Sequence, residues 1–247
     1  YTEMAVDNTI IHNEGFLTER GGVLDADGPA VIQLGGSNPE TLSQASDILN
    51  SYGVLSGHYQ ELNINCGCPS NKVTQRGCFG AKLMLQPSLV REIVHSMKRR
   101  VSCPVTVKCR LGVTNHRDTY AELVEFITEA HLGGADKFII HCRDCVLEGL
   151  STKQNREIPP LRYGEIQRLR REFPDLTFVL NGGVQTLDSA LEHLKLNSSQ
   201  EQDQNNASDS SHLGEKEDEI WAPHGVMIGR AVMHDPLLLA TADTRIF

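Results

Sequence analysis

Apolar runs that end in glycine or a polar residue recur along this chain, separated by segments whose apolar positions repeat every three or four residues. Such alternation is the pattern of a parallel sheet built from βα units. It predicts seven strands, at residues 1–6, 30–34, 61–65, 105–109, 137–141, 177–180 and 225–228. Between them, helical faces are expected from Leu42, Ala45 and Leu49; from Leu89, Ile93, Val94 and Met97; from Tyr120, Leu123, Ile127 and Ala130; and from Leu187, Ala190, Leu191 and Leu194.

The repeat predicts an α/β fold of the (β/α)8 TIM-barrel class, one strand short of closure. The chain starts inside a strand at Tyr1, so the missing strand is expected upstream. An open doubly wound sheet is the alternative, with its site at a single switch point. Barrels keep their sites at the carboxyl ends of strands. Gln33, Asn65, Lys108, His141 and Asn181 all fall at such ends.

Composition narrows the classes. No apolar run approaches the roughly 20 residues that a membrane span needs. The seven cysteines are odd in number and lie mostly in or beside apolar strands, which argues for reduced thiols. A net charge of -9 argues at first against a polyanionic partner, but six of those charges fall between residues 197 and 220. That Ser/Asn/Gln/Asp-rich stretch holds hardly an apolar residue and reads as a disordered acidic insertion at about 197–222. The rest of the chain is close to neutral.

The densest run of reactive residues is ELNINCGCPSNKVTQRGCFGAKLML, residues 61–85, a strand emptying into a long loop. Later, Asn181-Gly182-Gly183 and Gly229-Arg230 each follow an apolar run. Glycine-rich turns and a nearby helix start in the last two strands of a barrel suit a phosphate, although tight turns alone also explain them. Lys108 and His141 end their strands and suit a cofactor that becomes anionic on reduction. His141 also reads as a core histidine, and Lys108 as a Schiff-base lysine of a lyase. The pairs Cys66/Cys68 and Cys142/Cys145 are poor matches to zinc-knuckle spacing, so no metal is expected. Lys153 and Arg156, in the loop GLSTKQNREIPP, could position nucleic-acid phosphates or simply be solvated.

Taken together these runs resemble the flavin-dependent tRNA-dihydrouridine synthases, above all the branch acting at U20 and U20a. The resemblance rests on Tyr1-Thr2-Glu3-Met4, Gln33-Leu34-Gly35-Gly36, NCGCPSNKV from Asn65, Phe79-Gly80-Ala81, Val105-Thr106-Val107-Lys108, Ile140-His141, Gly149-Leu150-Ser151, NREIPPL from Asn155, NGG at Asn181 and GVMIGRA from Gly225. It implies one FMN-binding barrel domain over residues 1–247, lacking an opening strand and a following helical domain. It implies that Gln33, Lys108 and His141 contact the isoalloxazine, and that Asn181, Gly182, Gly183, Gly229 and Arg230 hold the phosphate end. Asn65, Lys153 and Arg156 match substrate positions. The implied reaction reduces the uridine C5=C6 bond in the tRNA D-loop, with NADPH as electron source, a hydride to C6 and a proton to C5.

One position departs from the family. Its acid is a cysteine directly after Phe/Tyr-Gly-Ala, where this chain has Lys82. An amine is a weaker acid than a thiol, so Cys78, four residues earlier, and Lys82 are both candidate proton donors, and Cys78 shares a face with the vacated slot if the loop turns helical. A relative that binds tRNA and flavin without turning over is the alternative function. The expected protein is an oxidoreductase without membrane or metal partners, monomeric, and cytoplasmic, or in a plastid or mitochondrion if a targeting segment precedes Tyr1.

Overall fold

The computed structural model describes residues 1–13, 15, 17, 30–69, 79–113, 119–195 and 221–246. Seven parallel strands, β1 (Met4–Val6), β2 (Ala30–Gly35), β3 (Tyr59–Cys66), β4 (Val105–Arg110), β5 (Lys137–His141), β6 (Thr177–Asn181) and β7 (Gly225–Met227), lie in one sheet in chain order. With helices between them, this is the architecture of an incomplete (β/α)8 barrel, as the sequence pattern predicts. The helices are α1 (Asp7–His12), α2 (Pro39–Leu49), α3 (Pro87–Lys98), α4 (Thr119–Leu132), α5 (Gly164–Glu172), α6 (Leu187–Lys195), α7 (Arg230–His234) and α8 (Ala242–Ile246). The acidic insertion expected at about 197–222 lies almost wholly outside the described residues, which resume at Trp221.

The chain divides into two compact units, Tyr1–Phe138 with Asp144–Pro159, and Ile139–Arg143 with Pro160–Phe247. In the first unit the helices start and stop on local chemistry. Asn38 caps α2, its Oδ1 accepting from the Glu40 and Thr41 N–H groups at 2.8 and 3.4 Å, and Pro39 takes the first turn, where a missing N–H costs nothing. One face of α2 buries Leu42, Ala45 and Leu49; α3 buries Val90, Ile93, Val94 and Met97; α4 buries Leu123, Phe126, Ile127 and Ala130. On α3 it is Val90 rather than Leu89 that is fully buried, while Ile93, Val94 and Met97 are buried as expected.

Strands β3 and β4 each carry two chemically distinct faces. Leu62, Ile64 and Cys66 alternate with Glu61, Asn63 and Asn65, and Val105, Val107 and Cys109 alternate with Thr106, Lys108 and Arg110. The apolar sets are buried. Because strand side chains have a period of two and the register pairs Asn63 with Thr106 and Asn65 with Lys108, the polar sets share one face of the sheet. At the amino end of that face, the Lys137 Nζ donates to both Glu61 carboxylate oxygens at 3.1 Å and the Tyr1 hydroxyl donates to Oε1 at 3.1 Å.

In the second unit β7 pairs with β6 through Val179, Leu180 and Asn181. His224 extends that pairing by one residue: its backbone N–H donates to the Phe178 carbonyl at 2.9 Å and its side-chain Nδ1 accepts from the Phe178 N–H at 3.0 Å. Partial burial and the nearby Arg170 hold the His224 pKa below its ordinary 6.5. The unfolded chain therefore binds the extra proton more readily, so this contribution to stability is intact above pH 6.5 and is lost as pH falls through the folded-state pKa. Thermal unfolding followed from pH 7.5 to 5 is expected to show a falling midpoint, and His224→Gln, which can still accept from Phe178, a smaller fall. An equal fall in both proteins would remove His224 from this role.

Candidate functional site

In the first unit the carboxyl ends of β2, β3 and β4 present a continuous set of amides and cations. The Gln33 Nε2 donates to Asn63 Oδ1 at 2.9 Å, and Gln33 Oε1 accepts from Asn65 Nδ2 at 2.8 Å. Asn63 and Thr106 are fully buried, and the Asn63 Nδ2 donates to Thr106 Oγ1 at 2.8 Å. Asn65 Oδ1 accepts from the Gly67 and Cys68 N–H groups at 3.1 and 3.0 Å, folding the Cys66–Pro69 segment into an Asx-type turn. Lys108 stands opposite Asn65 in the register, half-buried.

The loops above these strands are fixed by one buried cation and one buried amide. Arg110 donates from Nε to the Gly67 carbonyl at 2.9 Å and from one terminal nitrogen to the Asp144 and Asn155 carbonyls at 3.1 and 2.9 Å. Asn155, fully buried, donates to the Val146, Leu150 and Ser151 carbonyls and accepts from the Val146 N–H. The loop GLSTKQNREIPP, read from sequence as a phosphate-positioning or simply solvated loop, is thus wound around Asn155. It leaves Lys153 exposed and Arg156 half-buried on a short 3₁₀ turn, Gln154–Arg156. Arg156 Nε is buried and has no hydrogen-bond partner among the described residues.

Phe79 packs in the space that a side chain at Gly35 would need, where a Cβ would come within 2.7 Å of its ring. The Ala81 N–H donates to the Cys68 carbonyl at 2.9 Å, tying the Cys66–Pro69 turn to a 3₁₀ helix, Gly80–Leu85. Lys82 sits in the first turn of this helix, half-buried. Cys78, the other candidate acid, lies outside the described residues. Of the other thiols here, burial pushes Cys66 well above its ordinary value, with Cys109 adding to it, and pushes Cys145 up to about 11 against the pull of Arg110. Neither thiol is exposed to exchange protons with a ligand. Among the described residues no three His, Cys, Asp or Glu side chains gather as a metal site, and no helix is long and apolar enough to cross a membrane.

The second unit holds the glycine-rich turn. Gly182 and Gly183 both take positive φ, 108° and 78°, directly after Asn181, whose Nδ2 donates to the Met227 carbonyl at 2.9 Å. A Cβ at Gly182 would lie 3.2–3.3 Å from Nε2, Cδ2 and Cε1 of His141, so any side chain here would press on that imidazole. The Tyr163 hydroxyl donates to the Gly182 carbonyl at 2.7 Å, and its ring meets His193 edge-on at 4.6 Å. Gly229 and Arg230 are exposed at the start of α7.

Sequence reasoning missed Asn63, Thr106, Arg110 and Tyr163. The first three were visible as polar residues alternating with apolar ones inside a strand; Tyr163 carries no local signal.

The chain matches the dihydrouridine synthase family over residues 1–201. It is 40% identical over 247 residues to the tRNA-dihydrouridine(20/20a) synthase of Pseudomonas putida, covering all of this chain and 63% of that protein. It is 41% identical to the Vibrio cholerae protein of that name, again over the whole chain and 65% of the relative, and 42% identical to the Xanthomonas campestris protein, over 97% of this chain and 61% of the relative. The chain thus spans less than two thirds of the length of these curated relatives.

Two substitutions test the geometry. Arg110→Met leaves three carbonyls without their charged donor and is expected to destabilise the fold by about 2–4 kcal/mol in urea unfolding, with faster proteolysis in residues 144–159. Gly183→Ala places a methyl 2.5 Å from Leu161 Cδ1 and 2.6 Å from the Tyr163 hydroxyl. With the positive φ it is expected to cost about 1–3 kcal/mol in thermal unfolding.

Proposed function

Because the chain belongs to the dihydrouridine synthase family, we propose that it is the flavin-binding part of an enzyme that reduces the C5=C6 bond of uridine in the tRNA D-loop, at positions 20 and 20a, with FMN as cofactor and NADPH as electron source. The observation that carries this reading is the whole-length match, at about 40% identity, to proteins named for that reaction. The residues fit such a cofactor. Gly182 packs against His141 with no side chain of its own, where any other residue would crowd the ring, and Asn181, Gly183, Gly229 and Arg230 supply polar and backbone groups for a phosphate. Gln33 and Lys108 offer an amide and a cation at their strand ends, suited to a ring edge that gains negative charge.

When bound, reduced flavin supplies a hydride to the pyrimidine. The chain supplies the rest. Asn65 and Arg156 orient the base and its backbone, Lys153 adds an exposed positive charge for a phosphate, and Lys82 or Cys78 delivers a proton to C5. Lys82 enters because it occupies the slot of the family's thiol acid, in a turn tied to the Cys68 carbonyl. Its positive charge also stabilises the enolate that forms as C6 gains hydride. The same substitution favours a second reading, a relative that binds tRNA and flavin but turns over slowly.

Full-length protein incubated with NADPH and unmodified tRNA is expected to add two hydrogens at position 20 or 20a, mapped by mass spectrometry. In single turnovers, reoxidation of the reduced flavin by tRNA should slow by at least about tenfold in Lys82→Ala or Cys78→Ala. Unchanged rates in both variants rule out both donors. Tight binding of tRNA and flavin with no tRNA-dependent reoxidation establishes the second reading.

A further inference from the structure

The amides of Gln33, Asn63 and Asn65 form one hydrogen-bonded ladder with Thr106, and the direction of every bond in it follows from its end. The Gly67 and Cys68 backbone N–H groups can only donate, so the Asn65 atom they reach, at 3.1 and 3.0 Å, is its oxygen. Asn65 therefore turns its NH2 toward Gln33, and the Gln33 atom 2.8 Å away is Oε1. That leaves the Gln33 NH2 facing Asn63, whose near atom, at 2.9 Å, must accept and is Oδ1. The Asn63 NH2 then donates to Thr106 Oγ1 at 2.8 Å. No amide in the ladder can flip alone without setting two donors or two acceptors against each other, which for the buried Asn63 leaves a polar group unsatisfied.

The geometry points to Asn63 and Thr106 as positioning residues that lock the Gln33 amide in one orientation, so that Gln33 offers the cofactor one remaining Nε2–H and one remaining Oε1 lone pair in fixed places. Neither residue touches a ligand; both act through Gln33. Most inward-facing layers of barrels of this class are filled by branched apolar side chains. A buried Asn–Thr pair in their stead has a structural cost that a fixed Gln33 accounts for. The assignment rests on the proposed flavin site at Gln33.

The ladder itself is read without cofactor. In the flavin-free protein, nuclear Overhauser contacts from the Asn63 side-chain amide protons are expected to the Thr106 methyl group; contacts to the Gln33 amide protons in their place overturn the assignment. Flavin affinity is then measured by fluorescence quenching during FMN titration. Asn63→Leu removes the acceptor and is expected to weaken binding at least about tenfold, because Gln33 loses its preferred orientation. Asn63→Asp keeps an acceptor toward Gln33, and the carboxyl, kept neutral by burial, donates to Thr106 as the amide does, so binding should stay within about threefold of the parent. If Asn63→Leu does not fold, Asn65→Asp takes its place: it presents acceptors on both sides, reverses the ladder and is expected to weaken binding by a similar factor. FMN binding unchanged in Asn63→Leu or Asn65→Asp overturns the positioning role. Parent protein that binds no FMN overturns the flavin reading, and the ladder then stands or falls on the Overhauser contacts alone.

Discussion

The constraint from which the rest follows is the parallel register of β2, β3 and β4, which sets Gln33 beside Asn63, Asn63 beside Thr106 and Asn65 beside Lys108. In a strand every second side chain shares a face, so a slip of one residue in β3 would exchange Glu61, Asn63 and Asn65 for Leu62, Ile64 and Cys66. Three fully buried apolar side chains would lose their packing and the Glu61 carboxylate would lose its lysine. Apolar burial on one face therefore fixes where the amides and cations of the other face stand. The chemistry of the site is aligned by groups that never meet a ligand.

Above the strands, order is kept in two different ways. In the first unit, buried side chains bind loop carbonyls: Arg110 reaches three and Asn155 another three, so the loops are held by their backbones and the outward side chains remain open to change. In the second unit the turn after β6 is shaped by its own conformation, with two consecutive glycines at positive φ and a tyrosine hydroxyl beneath. The first arrangement tolerates substitution on the loop surface. The second does not, because Leu161 and Tyr163 already fill the space beside Gly183.

Much of this was legible in the sequence for a physical reason. Each strand is an apolar run that stops at or just before a glycine or a polar residue, and all seven strands stand where that pattern puts them, to within a few residues at their ends. Mid-strand polar residues were passed over because a reading that weighs only where an apolar run ends ignores what interrupts it; Asn63 and Thr106 are such interruptions, while Arg110 lies just past the expected end of β4 at residue 109. Helix α5 escaped for the opposite reason. Only Ile166 and Leu169 mark its buried face, among five arginine and glutamate neighbours that mask the period. Asn155 was visible within NREIPPL, but no local pattern tells an amide that faces solvent from one that gathers a loop around itself.

The link between Glu61 and Lys137 joins residues near the amino ends of two strands that are not neighbours, with β4 between them and 76 residues of chain separating the partners. It can close only when β3, β4 and β5 already stand in register, and the entropy of so long a loop opposes it until then. Such a contact does little to speed folding and mostly slows escape from the folded state. The amino end of this sheet thus governs how long the fold persists, while the carboxyl end is left to chemistry.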